Sequence, residues 1–394
     1  MMRTVKTAII CCVMVLVIAQ SDHQPNLNEP VSRNYFLQSY PKAYYSVQQS
    51  VRLEALSEST IEALLALNLP EIMLEWSIRL AQRKKYSASQ LYWRKYYDIG
   101  TQGQRTRLQQ VFVQQYALQQ LKRLERQFGL PSDLQLLLAS EQGVVPQSLS
   151  KGVLAKLELT TLLSPPIFAS NCKNRILLIS DHFSGVKKLE SLKAKYLEQP
   201  EPMVGSYCLS EVFYIGDIMS CYINEQQFAR CDEQQLIKQY NRQLNNIDYV
   251  IMMTKVGQAN VANGIMTLTS SSNYQVFLHE LMHFSGFEDE YAIAPSKARW
   301  LCRHAGQHAP NLIVAKQPPA KGWYKSETCK HGLLDAFKLS KDWSIMQFQE
   351  LPLSHQYRQV WQNAINSKRY QIPRFTNLKS RLTEAAPDEG ASEI

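Results

Sequence analysis

Ser164-Pro165-Pro166 separates two stretches of different patterning, and the difference limits each stretch to its own kind of fold. Paired prolines cannot continue a helix and favour an extended connector. From about residue 33 to 163 the apolar residues recur at helical spacing and there is no cysteine; beyond the prolines, short apolar runs alternate with amphipathic segments. We therefore expect an α+β chain: an all-α N-terminal domain (residues 20–164), a mixed sheet-and-helix domain (165–370) and a polar, partly disordered tail (371–394). At 394 residues the chain is long enough for two domains, and its 45% apolar content can supply a core for each.

In the helical stretch the clearest element is predicted over 106–128, where Leu108, Val111, Phe112, Leu118, Leu121, Leu124 and Phe128 fall near one face before Gly129 and Pro131 stop it. Further helices are expected over 59–67, 70–83, 87–97, 132–139 and 153–163. The segment from Arg83 to Tyr97 interleaves Lys84, Lys85, Arg94 and Lys95 with Tyr86, Tyr92, Trp93 and Tyr96. With a net charge of +9, weak contact with an anionic surface is one reading of it. The expected one is an amphipathic helix that buries its rings beneath basic stems. Nothing resembles a nucleic-acid-binding module, so no nucleic-acid partner is expected.

Arg3 and Lys6 precede an apolar run over 7–19 that ends in Val17-Ile18-Ala19, the layout of a secretory signal (1–19) cleaved after Ala19. The run falls short of the about 20 apolar residues of a membrane span, and no later segment reads as one. The chain is thus expected to be exported, secreted or periplasmic. Setting aside Cys11 and Cys12, the eight cysteines leave Cys172, Cys208, Cys221, Cys231, Cys302 and Cys329, an even set that reads as disulfides in an exported chain.

Beyond the prolines, strands are predicted over 175–180, 212–215, 249–253 and 264–269, with helices over 186–197 and 232–244, an order that builds a sheet through crossovers. A helix over 274–285 follows. It projects His279 and His283, four residues apart, from one face, near enough to hold one metal ion with Glu280 beside them. Zinc takes imidazole nitrogens at about 2.0–2.1 Å, and a catalytic site leaves a position for water that a neighbouring carboxylate can deprotonate. Glu280 is therefore the candidate general base. Gly286, just past the last turn, permits the left-handed conformation that reverses the chain, so Asp289, or Glu290 as the alternative, can return as third ligand.

His279-Glu280-x-x-His283-x-x-Gly286-x-x-Asp289 resembles the extended zinc signature of the metzincin metallopeptidases, in the variant with aspartate where most members have a third histidine. Ser344-Ile345-Met346 is similar to their Met-turn, and Asp289-Glu290-Tyr291 is similar to the secreted bacterial family that includes immunoglobulin A peptidases, with spacing one residue shorter. Roughly the second half of the chain is covered. The resemblance implies a metzincin-like domain that binds Zn2+ through His279, His283 and Asp289, with Met346 as an apolar floor and Gly286 and Tyr291 in support. It implies a secreted zinc endopeptidase acting on protein or peptide. Phe348 stands where some members have a tyrosine near the metal, which leaves Tyr291 either to take that role or only to pack or hydrogen-bond behind the ligands. Strand 264–269 would be the edge that pairs with substrate, and 292–341 an insertion shaping the cleft, within which Cys302 and Cys329 are the preferred disulfide pair. The alternative is a non-catalytic secreted or periplasmic binding or scaffold protein whose zinc site is structural or vestigial.

Overall fold

The structure, a computed structural model, describes residues 27–367 and 369–384. The expected signal (1–19) and the residues from 385 onward lie outside the described residues. The chain divides after Leu130 into two compact units, a helical one and one that carries the sheets.

The first unit contains α1 (Pro30–Ser39), α2 (Tyr44–Val47), α3 (Glu58–Leu64), α4 (Pro70–Gln82), α5 (Tyr86–Tyr96), α6 (Gln102–Gln114) and α7 (Leu118–Phe128). The single helix expected over 106–128 is two helices. Tyr116 is left-handed (φ +52°), and the Ala117 N–H closes back onto the Phe112 carbonyl at 2.8 Å. At about 100° per residue, the six residues from Phe112 to Leu118 would have put their side chains about 120° apart on one continuous helix. Breaking the helix lets both face the core. In the basic and aromatic segment the rings go inward: Trp93, Tyr96 and Tyr97 are buried, and Tyr86 donates to Gln115 at 2.8 Å. Lys84, Lys85, Arg94 and Lys95 stay exposed, and Arg83 pairs with Glu58.

The second unit opens with α8 (Ser132–Gln142) and α9 (Lys151–Lys156), so these two helices, expected with the N-terminal domain, group with the sheets. The helix predicted over 153–163 stops at Lys156. Glu158 turns left-handed (φ +53°), and the chain continues extended, with Thr160 O accepting from Tyr214 N at 2.8 Å.

The main sheet collects β1 (Arg175–Ser180), β2 (Cys208–Tyr214), β5 (Tyr249–Thr254), β6 (Asn260–Ala262) and β7 (Ile265–Thr269) in the order β2-β1-β5-β7-β6. Its pairs are parallel except β6 with β7. The hairpin β3 (Tyr222–Ile223) and β4 (Ala229–Arg230) stands apart from it. Crossovers run through α10 (Phe183–Glu198) and α11 (Glu233–Tyr240). Every residue of β5 and β7 is buried, as parallel strands covered on both faces require.

The expectation that 264–269 forms the sheet edge is overturned. β7 lies between β5 and β6, and the edge belongs to β6, which is joined to β7 through Asn263-Gly264, both with positive φ (+52° and +78°). Asn-Gly is the preferred pair for a two-residue hairpin turn, because both residues tolerate the positive φ of a turn whose twist matches the right-handed twist of the strands it joins.

After α12 (Tyr274–His283) and α13 (Pro295–Leu301), the segment expected as an insertion shaping the cleft folds into a second, antiparallel sheet. Its strands are β8 (Gly306–Ala309), β9 (Leu312–Ala315), β10 (Tyr324–Ser326) and β11 (Asp335–Lys338), ordered β10-β11-β9-β8 over an apolar cluster of their own. The last described elements are α14 (His355–Ser367) and α15 (Phe375–Glu384). The polar tail expected from 371 is therefore part of the fold up to Glu384: Phe375 and Leu378 are buried in the core beneath the main sheet, and Arg374 pairs with Asp248 at 2.5 Å.

Disulfides join Cys172–Cys208, Cys221–Cys231 and Cys302–Cys329, the last as expected, and three such pairs fit an oxidising, exported environment. Among the described residues no helix is long and apolar enough to cross a membrane.

Candidate metal centre

Helix α12 begins where the Asn273 side chain accepts the Val276 N–H at 2.9 Å, satisfying one of the orphan donors of its first turn. It packs through Phe277 and Leu281 and ends at His283. Ser285 anchors the end, its Oγ lying 2.6 Å from Tyr207 OH and 3.0 Å from Trp361 Nε1. Gly286 then takes φ +79°, donating to His283 O at 2.9 Å, and the Tyr370 carbonyl sits so close that a Cβ would collide with it. Gly286→Ala is expected to cost at least about 1 kcal/mol for the left-handed residue alone. It should also shift 287–289 and weaken metal binding; denaturant unfolding and chelator competition measure the two effects, and an alanine variant with unchanged values in both would refute this.

The reversal brings Asp289 back under the two imidazoles. His279 Nε2 and His283 Nε2 stand 3.2 Å apart, and Asp289 Oδ1 lies 3.3 and 3.4 Å from them. His279 Nδ1 is 2.9 Å from the Ile345 carbonyl and His283 Nδ1 is 2.7 Å from the Phe287 carbonyl. A carbonyl only accepts, so both Nδ1 atoms carry protons and, in the neutral rings, both Nε2 atoms present lone pairs to one another and to a carboxylate. Asp289 Oδ1 is buried and makes no hydrogen bond of proper geometry. A tetrahedral ion with bonds of about 2.0–2.1 Å would hold its ligand atoms about 3.3–3.4 Å apart, so the donor set and its spacing fit zinc. Among the described residues these three form a group whose ligand atoms all lie within 4.8 Å of one another.

Burial disfavours charge on His283, yet the Asp289 carboxylate overrides it and pushes the imidazole up to about 9. Burial likewise works against the Asp289 anion, and His283 and His279 together hold its carboxyl far below the usual range. Glu280, almost fully buried, has its carboxyl raised by burial in spite of the two histidines.

Glu280, His283, Asp289 and Tyr291 line one cleft of about 560 Å³, bounded by Val261 at the β6 edge and by Trp300 on α13. Burial raises the Tyr291 phenol, and the negative charge of Asp289 adds to the effect. Glu290, the alternative third ligand, turns away from the histidines and is bound by Ser344, Tyr357 and Asn311. Ser344, Ile345 and Met346 are buried in a turn closed by Gln347 N onto Ser344 O at 3.0 Å. The turn reaches the centre through two carbonyls, Ile345 O at His279 and Met346 O at the Glu290 N–H. Phe348 packs on Trp343.

No protein-family model matches the chain, and no curated protein matches it. Residues that motif reading missed are Asn311, Ser326, Thr328 and Tyr357 around the ligand loop and Val261 on the edge. Asn263-Gly264 was a legible hairpin signal for the last. The others stand 20 or more positions from Asp289 and carry no spacing signature.

Proposed function

We propose that the chain is a secreted zinc endopeptidase of metzincin-like design that cleaves extended protein or peptide substrates. The observation that carries this reading is the convergence of His279 Nε2, His283 Nε2 and Asp289 Oδ1 at the spacing of one tetrahedral ion, with both Nδ1 atoms turned onto carbonyls. Structural zinc is normally closed by four protein ligands, so a three-ligand group of which His283 and Asp289 line a cleft favours chemistry over a scaffold role. When bound, zinc supplies Lewis acidity, polarising a carbonyl and acidifying water.

The protein's own side chains do the rest. Glu280 takes the proton of the attacking water and returns it to the leaving amine, its raised proton affinity suiting both halves of the transfer. The Ile345 and Phe287 carbonyls hold the two rings in a single tautomer. Tyr291 offers the hydroxyl for a developing oxyanion that Phe348 lacks.

A peptide as substrate is supported by β6. Gly264 O accepts from Val250 N, so even-numbered residues of β7 face β5 and odd-numbered ones face β6. Pairing of Ala262 with Ile265 and of Asn260 with Thr267 then leaves the N–H and C=O of Val261 on the outer edge, beside the cleft. Val261→Pro removes that donor, and kcat/KM for unfolded protein should drop about 3–10-fold, the worth of one hydrogen bond, with zinc content unchanged. Unaltered kcat/KM would take β6 out of substrate binding.

The whole reading is tested by metal removal. Purified protein is expected to contain about one zinc per chain, to cleave a denatured casein-like substrate, to stop on addition of chelator and to resume when zinc is returned. Zinc-loaded protein that cleaves nothing, or cleavage indifferent to chelator, overturns it.

A further inference from the structure

Glu290 stands next to a metal-ligand candidate, is completely buried and points away from the histidines. Its Oε1 accepts from Asn311 Nδ2 at 2.8 Å and Tyr357 OH at 2.5 Å, its Oε2 accepts from Ser344 Oγ at 2.5 Å, and Lys338 Nζ lies 3.7 Å from Oε2. Its backbone is equally engaged: the N–H donates to Met346 O at 2.9 Å and the carbonyl accepts from Ser326 Oγ at 3.0 Å. All the side-chain partners present donors. A carboxylate suits them because it offers acceptor sites on both oxygens and no donor of its own.

The residues on either side are tied to the same framework. Asn311 Oδ1 accepts from the Glu288 N–H at 3.0 Å while its Nδ2 donates to Glu288 O at 2.8 Å, and Thr328 Oγ1 donates to Asp289 O at 2.7 Å. Asp289 is thus flanked on both sides by residues fixed to the second sheet. The turn gripped by Glu290 through Ser344 and Met346 also carries the Ile345 carbonyl that orients His279. One buried carboxylate therefore fastens the elements that place two of the three ligand atoms.

We infer that Glu290 is the positioning residue of the metal centre, holding Asp289 directly and His279 through the 344–346 turn at the spacing an ion needs. The second sheet supplies the framework that makes this possible, so its role extends beyond shaping the cleft. The inference rests on the metal-centre part of the proposed function and is independent of whether peptide bonds are cleaved. Partners beyond the ligands of a metal site typically govern affinity by about 10–100-fold, and Glu290 is expected to fall in that range.

The test measures zinc affinity by competition with a chromogenic chelator, and the visible spectrum of the cobalt(II)-loaded protein, for the full chain and for Glu290→Ala, Glu290→Gln and Asn311→Ala. Glu290→Ala should keep the far-ultraviolet circular dichroism of the metal-free protein, bind zinc about 10–100-fold more weakly and change the cobalt spectrum. Glutamine, which retains acceptors for part of the network, should recover part of the affinity. Asn311→Ala, which frees the loop at both 288 and 290, should also weaken binding, and it decides the matter alone if Glu290→Ala does not fold. Wild-type affinity and an unchanged cobalt spectrum in the folded variants would overturn the positioning role. Failure of the unaltered protein to bind either ion would overturn the metal centre itself.

Discussion

With Glu280 replaced by glutamine, the protein is expected to hold zinc as tightly as before and to hydrolyse unfolded protein about 10²–10⁴-fold more slowly, the usual contribution of a positioned general base. Glutamine keeps the size of the side chain and places an amide where the carboxylate stood, so the fold of α12 and the three ligand atoms are left in place. Because Glu280 has no part in the His279, His283 and Asp289 group, zinc content and turnover should separate in this variant. The comparison is made by metal analysis and kcat/KM on the same preparation. Full activity in the glutamine variant would remove Glu280 from the chemistry, and a parallel loss of zinc would make its role structural.

Asp289→Ala should have the opposite signature, with metal and activity lost together. Two imidazoles remain, 3.2 Å apart and without a carboxylate to offset the ion's charge. Zinc affinity is expected to fall by more than about 100-fold, exceeding the effect of losing an outer partner. The pH dependence should change as well. Zinc competes with the proton on His283 Nε2, whose affinity Asp289 raises to about 9, so zinc binding by the unaltered protein should strengthen as pH rises toward that value and weaken as pH falls. Without that carboxylate only the smaller effects of Glu280 and Glu288 oppose burial at His283, the proton is lost at lower pH, and the slope should flatten near neutrality. Chelator competition across a pH series reads both effects. A flat profile in the unaltered protein would show that His283 is not a ligand.

Motif reading alone reached the heart of the site because the geometry there is local. Four residues of helix place His283 beside His279, and the glycine at 286 turns the chain within three residues of Asp289. The choice between Asp289 and Glu290 was not local. Adjacent side chains on a reversing loop point in different directions, and which of them faces the imidazoles is set by Asn311, Ser344 and Tyr357, which arrive from three other parts of the chain. The sheet edge escaped for a related reason. Three residues of β6 carry too little alternation to register as a strand, and only pairing with β7 shows that the longer apolar run is interior.

What the amino-acid sequence determined by itself was the change from helices to alternating strands and helices across the paired prolines, the helix that carries both histidines, the glycine that ends it and the even set of cysteines, all features expressed over a few neighbouring residues. The tertiary structure alone decided which carboxylate faces the imidazoles, which strand lies at the sheet edge, and that the segment after α12 and the chain up to Glu384 belong to the folded unit. Those outcomes depend on contacts between residues far apart in the chain, where short strands and single buried polar groups are stabilised by partners that no local pattern announces.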